Sequence, residues 1–281
     1  MFENKFDMTQ EENVWYAKRL VVDSIWKEAR LEGINVTFPD TAEIFEGRTV
    51  SGLSVNETIA INNLKHAWEY CLQEIEVPLD FRMLKEFNQL IGEAGVTREP
   101  GKVRTVDVRI GGTTWRPDIP NEQMDKEGFE SMLRGPEGPE KGLDIMCWVC
   151  RKQLFFDGNK RTAQLAANHY LISQGFGILA IAENKLSRFR KALTDFYETN
   201  EPTPLKLFLY EDCLVGTDFS KERTGQKINE DKSKPAVPHL GPRKMDDIVA
   251  GATRASAAQA GRDFQGQNRN PQRGVGREDD V

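Results

Sequence analysis

Apolar residues recur at helical spacing along nearly the whole stretch from residue 11 to 214, and one short segment breaks to period two. That pattern restricts the chain to a mostly α domain with a single β-hairpin. Residues 12 to 31 show the helical spacing first: Val14, Ala17, Leu20, Val21, Ile25 and Ala29 share a face, and Gly33 ends the run. Residues 40 to 47 follow Pro39 as a short helix, with Asp40 as N-cap and Gly47 as stop. Ser54 opens a long helix, and Glu57 three residues on completes a capping box. Its apolar face runs through Ile59, Ile61, Leu64, Ala67, Trp68, Cys71 and Leu72. Residues 80 to 93 add Phe81, Leu84, Phe87, Leu90 and Ile91. Helices are expected again over 141–154, 160–174, 183–199 and 203–214.

The exception is residues 103 to 116. Val103 to Ile110 alternates with period two, Gly111-Gly112 is a turn dipeptide, and Thr113 to Arg116 can return as a second strand. Beyond residue 214 large apolar residues become isolated among Gly, Pro, Gln, Asn and charged residues. Such a stretch cannot bury enough surface to offset its ordering entropy. Residues 215–281 therefore read as a disordered C-terminal tail, with transient helix over 245–260. The organisation expected is an N-terminal helical segment over 1–39, a core domain over 40–214 and the tail. No internal repeat is present.

Several function classes fall away on composition. The net charge of −6 gives no bulk electrostatic case for a nucleic-acid partner. No run approaches the roughly 18 apolar residues of a membrane span, and residues 1–7 carry no apolar stretch of a secretory signal. A cytoplasmic location with no membrane partner is expected. Cys147-x-x-Cys150 lies inside a helical apolar run without a second pair, so zinc is not expected.

Residues 153 to 161 read Gln-Leu-Phe-Phe-Asp-Gly-Asn-Lys-Arg and join two helical runs. Gly158 can take backbone angles closed to other residues, and consecutive amides at a helix start gather into a concave anion site. Lys160 and Arg161 add fixed positive charge, and a guanidinium can grip phosphate with two parallel bonds. Asp157 suits a magnesium ion, which takes one or two carboxylates plus phosphate oxygens. Phe155 and Phe156 are expected to anchor the loop in the core. The competing reading is a plain Gly-Asn turn flanked by solvated bases.

The string resembles the Fic signature His-Pro-Phe-x-Asp/Glu-Gly-Asn-Gly/Lys-Arg: Phe155, Asp157, Gly158, Asn159, Lys160 and Arg161 all match. Lys160-Arg161-Thr162-Ala163 also looks like the Doc-type branch. Residues 108–117 look like the Fic flap, which registers a target segment over the active site. The resemblance covers about residues 40 to 214 and implies a Fic-fold helical bundle with one hairpin flap. It implies ATP and Mg2+ as ligands, with Asp157 at the metal and Phe155, Gly158, Asn159, Lys160 and Arg161 at the nucleotide. Flap residues Ile110, Gly111, Gly112, Thr113 and Trp115 would align a Ser, Thr or Tyr hydroxyl of a target protein for AMP transfer. Self-association into a homo-oligomer stays open.

The chain departs from the signature at its base. The family's histidine is Gln153 here, its proline is Leu154, and a later arginine is Gln164. The three histidines, His66, His169 and His239, lie elsewhere. A glutamine amide accepts a hydrogen bond but takes no proton near neutral pH. General base catalysis contributes about 10² to 10⁴ in rate, so nucleotide binding should survive while transfer falls. Three readings follow: an impaired AMP-transferase of a toxin-like bacterial system, an inactive Fic pseudoenzyme that binds nucleotide or partner, and a Doc-like phosphotransferase. Self-inhibited Fic proteins carry a helix with the pattern Ser/Thr-x-x-x-Glu-Gly/Asn. By that resemblance Glu46-Gly47 is the expected brake, with Glu46 pairing with Arg161, although Ala42 stands four residues earlier.

Overall fold

Capping chemistry sets where the helices begin. In the computed structural model, which describes residues 2–219, Thr9 starts α1 (Gln10–Leu31) and Ser54 starts α3 (Val55–Gln73). Each does so through a reciprocal capping box with the glutamate three residues on. Thr37, not Asp40, caps α2 (Phe38–Phe45), its hydroxyl accepting from the Asp40 amide. Asp80 caps α4 (Phe81–Gly92) and Asn121 caps α5 (Glu122–Leu133). The remaining α-helices among the described residues are α6 (Pro139–Lys152), α7 (Asn159–Ser173), α8 (Leu186–Thr199) and α9 (Thr203–Phe208).

The core is built around α7, in which every residue except Lys160 and Ser173 is buried. Helices α6, α4, α1 and α3 pack against it. Gly142 on α6 allows the closest approach: a Cβ there would lie 2.6 Å from the Leu171 side chain. A helix buried on all sides must satisfy its polar groups internally. Asn168 on α7 does so by holding both the N–H and the C=O of Leu179, at 2.7 and 3.0 Å. Helix α1 belongs to this same core, with Ile25 and Ala29 fully buried, rather than standing apart as a preceding segment.

The expected hairpin is absent from residues 103–116, which form no strand. Their backbone groups find other partners. The Arg104 guanidinium takes the carbonyls of Val106 and Asp118, the Arg104 amide donates to Leu154 O, and the Thr114 amide donates to Glu198. The only strand pair among the described residues is β1 (Ile178–Leu179) with β2 (Leu214–Val215), antiparallel, with Ile178 opposite Val215. Order thus persists past residue 214. Phe219 is buried and meets Trp15 edge-on at 5.6 Å. The rest of the expected tail, including the helix over 245–260, lies outside the described residues. Cys147 and Cys150 face the core, where burial pushes the Cys150 thiol up to about 12. Among the described residues no helix is long and apolar enough to cross a membrane.

Candidate functional site

The junction between α6 and α7 is knitted by its own side chains. Gln153 ends α6 in the left-handed conformation, with φ 47° and ψ 54°. Asn159, the first residue of α7, then closes the loop: its Oδ1 accepts from the Phe155 amide at 3.0 Å, and its Nδ2 donates to Phe155 O at 2.8 Å and Gln153 Oε1 at 3.2 Å. Gly158 takes φ 78°, and a Cβ there would lie 2.9 Å from Asn88 Nδ2. Both facts demand glycine. Asn88 on α4 supports the turn by donating to Asp157 O at 2.9 Å and to the Thr162 hydroxyl at 3.2 Å.

Above this loop lies a cavity of about 490 Å3, within the range for small-molecule and cofactor sites. Its floor is Gln153 and Phe156 to Lys160. Residues 109–112 of the expected flap also line it, with Leu31 and Glu32 of α1 and its C-cap and a face of α8 with Phe189, Leu193 and Tyr197. The expected flap therefore borders the same cavity as the loop without being a hairpin. Its later residues hold elsewhere. Thr113 and Thr114 bond to Glu198, while Trp115 stacks on Tyr197 at 5.3 Å under the Arg151 guanidinium, 3.9 Å from the Trp115 ring centroid. Thr113 and Trp115 do not line the cavity. Neither does Phe155, whose ring is buried in the core, whereas Phe156 is only half-buried beneath Arg98.

Charge at the site is held in check by a residue that sequence reading missed. Glu32, the C-cap of α1, lies 3.3 Å from Lys160 Nζ and 3.5 Å from Arg161 Nε. Arg161 is buried behind Glu32 and Asp157, whose Oδ1 is 3.6 Å from Arg161 Nη2. Glu46 is not there: it pairs with Arg48 at 2.7 Å. The reason is topological. Helix α2 packs on α1 and α3, whereas α1 packs on α7 and delivers its C-terminus to the loop. Glu32-Gly33 also carries the Glu-Gly signal at a helix end, with Glu28 four residues before.

Glu28 lies one turn below Glu32. It is buried and accepts from Trp68 Nε1 at 3.0 Å and from Gln164 Nε2 at 3.2 Å. Burial pushes its carboxyl up to about 8, which favours the neutral form over the charged one. Gln164, the position of an arginine in some branches of the resembled family, thus donates to a buried carboxyl.

Both amide hydrogens of Gln153, and one acceptor site of its oxygen, are engaged within the protein. Its Nε2 donates to Cys150 O at 2.7 Å and the Tyr197 hydroxyl at 3.2 Å, and its Oε1 accepts from Asn159. Burial holds the Tyr197 phenol well above its ordinary value, so it supplies no base either. His169 is buried against Glu74 O at 3.0 Å, away from the loop. As for a magnesium ion, no cluster of three His, Cys, Asp or Glu side chains occurs among the described residues. The exposed Asp157 carboxylate, whose Oδ1 caps the Gly158 amide at 2.6 Å, fits an ion that takes its other ligands from phosphate and water.

No protein-family model and no curated protein sequence matches the chain. Solved structures do. A Fic-domain-containing signaling protein from Bacteroides thetaiotaomicron superposes with a TM-score of 0.60 at 19% identity, over 79% of this chain and 94% of that one. A Fic family protein from Desulfovibrio desulfuricans G20 gives 0.58 at 14%, over 79% and 68%. A fragment of Fic-1 from C. elegans gives 0.55 at 17%, over 67% and 58%. The chain has the helical fold of Fic-domain proteins.

Proposed function

We propose that the chain binds ATP with magnesium at the 153–161 loop under restraint by Glu32, and that Gln153 disables AMP transfer to a target protein. Lys160 and the amides of the Gly158–Asn159 turn would meet the phosphates, Arg161 would join them once Glu32 withdraws, and Asp157 would hold the ion. A bound magnesium would neutralise negative charge there. The flap and the α8 face would enclose the rest of the nucleotide and exclude water.

One observation carries the inactive reading. In AMP transfer a Ser, Thr or Tyr oxygen bonds to the α-phosphorus, pyrophosphate leaves, and the hydroxyl proton must go to a base. The residue at the base position has both amide hydrogens and its oxygen engaged within the protein, and it cannot titrate. Its neighbour Tyr197 is held neutral. The nucleotide-binding regulator is therefore favoured over the active transferase.

The test uses α-labelled ATP with bacterial lysate, comparing Glu32→Gly with Glu32→Gly/Gln153→His. Both variants are expected to bind ATP by calorimetry, and label is expected only with histidine present. Equal labelling by both would overturn the inactive reading. Label from a γ-labelled donor alone would point instead to phosphoryl transfer. Failure of Glu32→Gly to bind any nucleotide would remove the ligand reading altogether.

A further inference from the structure

Arg104 enters the flap from below and is 1% exposed. Its guanidinium reaches three main-chain carbonyls. Nε donates to Gln153 O at 2.7 Å, Nη1 to Val106 O at 2.7 Å and Nη2 to Asp118 O at 2.6 Å. Its own amide donates to Leu154 O at 2.9 Å. Val106 lies on the stem that enters the flap and Asp118 on the stem that leaves it. No strand ladder joins those stems. A planar fork of donors can stand in for a ladder, since it fixes several acceptors at set angles.

The third arm of the fork goes to the nucleotide loop. Gln153 is the left-handed residue at which α6 turns into that loop. A non-glycine residue keeps such a conformation only where its surroundings hold it. Asn159 holds the Gln153 side chain, and Arg104 holds its carbonyl.

We propose that Arg104 is a positioning residue that couples flap to loop, setting at once the placement of the flap over the cavity and the presentation of the loop amides to phosphate. This rests on the nucleotide reading of the site. The flap's far end has separate anchors, Thr113 and Thr114 on Glu198 and Trp115 on Tyr197. Loss of Arg104 therefore frees the stems and Gln153 while the far end stays attached. None of its partners lies inside α6 or α7, so its role is separable from the packing of those helices.

The test compares Arg104→Lys and Arg104→Met in the full chain, with ATP affinity read in a Glu32→Gly background. Lysine keeps a cation but cannot spread three fixed bonds over three carbonyls. In both variants the amides of residues 106–118 and of 153–158 are expected to exchange hydrogen at least on the order of tenfold faster, as for two lost charge-assisted bonds in the first segment and one in the second. Interior amides of α7 keep their protection, and ATP binding weakens by about the same factor. Faster exchange in the flap alone, with the loop and ATP affinity unchanged, would overturn the coupling. So would a uniform loss of protection through α7, or unfolding of both variants, which would make Arg104 a residue of the fold. If the Glu32→Gly parent binds no ATP, the nucleotide reading falls, and the exchange pattern alone decides Arg104.

Discussion

The 153–161 loop and the expected flap line one cavity, yet local bonds contribute far more to the first than to the second. The loop has a set of its own bonds that span six residues or fewer, Asn159 to Phe155 and Gln153 and Asp157 to Gly158, beside the distant supports from Asn88 and Arg104. The flap is tied by bonds that span 49 and 84 residues, Arg104 to Gln153 and Thr114 to Glu198. A locally wired element carries its conformation in a short string. An element held from a distance takes its conformation from whatever the fold brings near, so period-two alternation over 103–110 produced no strand.

The contrast makes unequal predictions. The largest effect is expected from Asn159→Ala, which removes three bonds inside the loop at once. ATP binding should weaken by about 100-fold, and stability should fall by about 2–4 kcal/mol, counting about 1 kcal/mol per buried hydrogen bond. Calorimetry and denaturant melts check both, and a variant that binds normally would show that the loop does not depend on its own side chains. Next is the brake. Glu32→Gly should tighten ATP binding by about tenfold, because it frees Arg161 and Lys160 from an ion pair worth about 1–2 kcal/mol in a half-buried setting. Glu46→Gly, far from Arg161, should leave affinity unchanged, and the reverse outcome would return the brake to α2. The smallest effect is expected from Glu198→Ala. It removes the flap's exposed far anchor, so Trp115 fluorescence should change while ATP affinity in the Glu32→Gly background stays within about twofold. A large loss of affinity would mean that the far anchor, not Arg104, governs the flap.

The site was legible to the extent that it is local. Asp157, Gly158, Lys160 and the helix start at Asn159 follow from glycine geometry and amide clustering, and the structure brings all four to the cavity. Glu32 was missed because two Glu-Gly pairs, 32–33 and 46–47, end consecutive helices, and local pattern cannot rank them. Only the packing of α1 against α7 decides between them. Arg104 was hidden for a related reason. In sequence it is one more charged residue in an alternating segment, and its three acceptors become neighbours only after folding. Phe156 was expected inside, but Arg98 covers it at the cavity edge instead.

By itself the sequence determined the helical class, the capping box at Ser54, and a glycine turn into α7 without a titratable base at position 153. These depend on backbone angles and on bonds between near neighbours, which a short string specifies. The tertiary structure decided which carboxylate faces Arg161, how the flap is held, and that both Gln153 amide hydrogens are spent inside the protein. Each of those is a contact between residues distant along the chain, and such contacts are set by how helices pack rather than by any local preference.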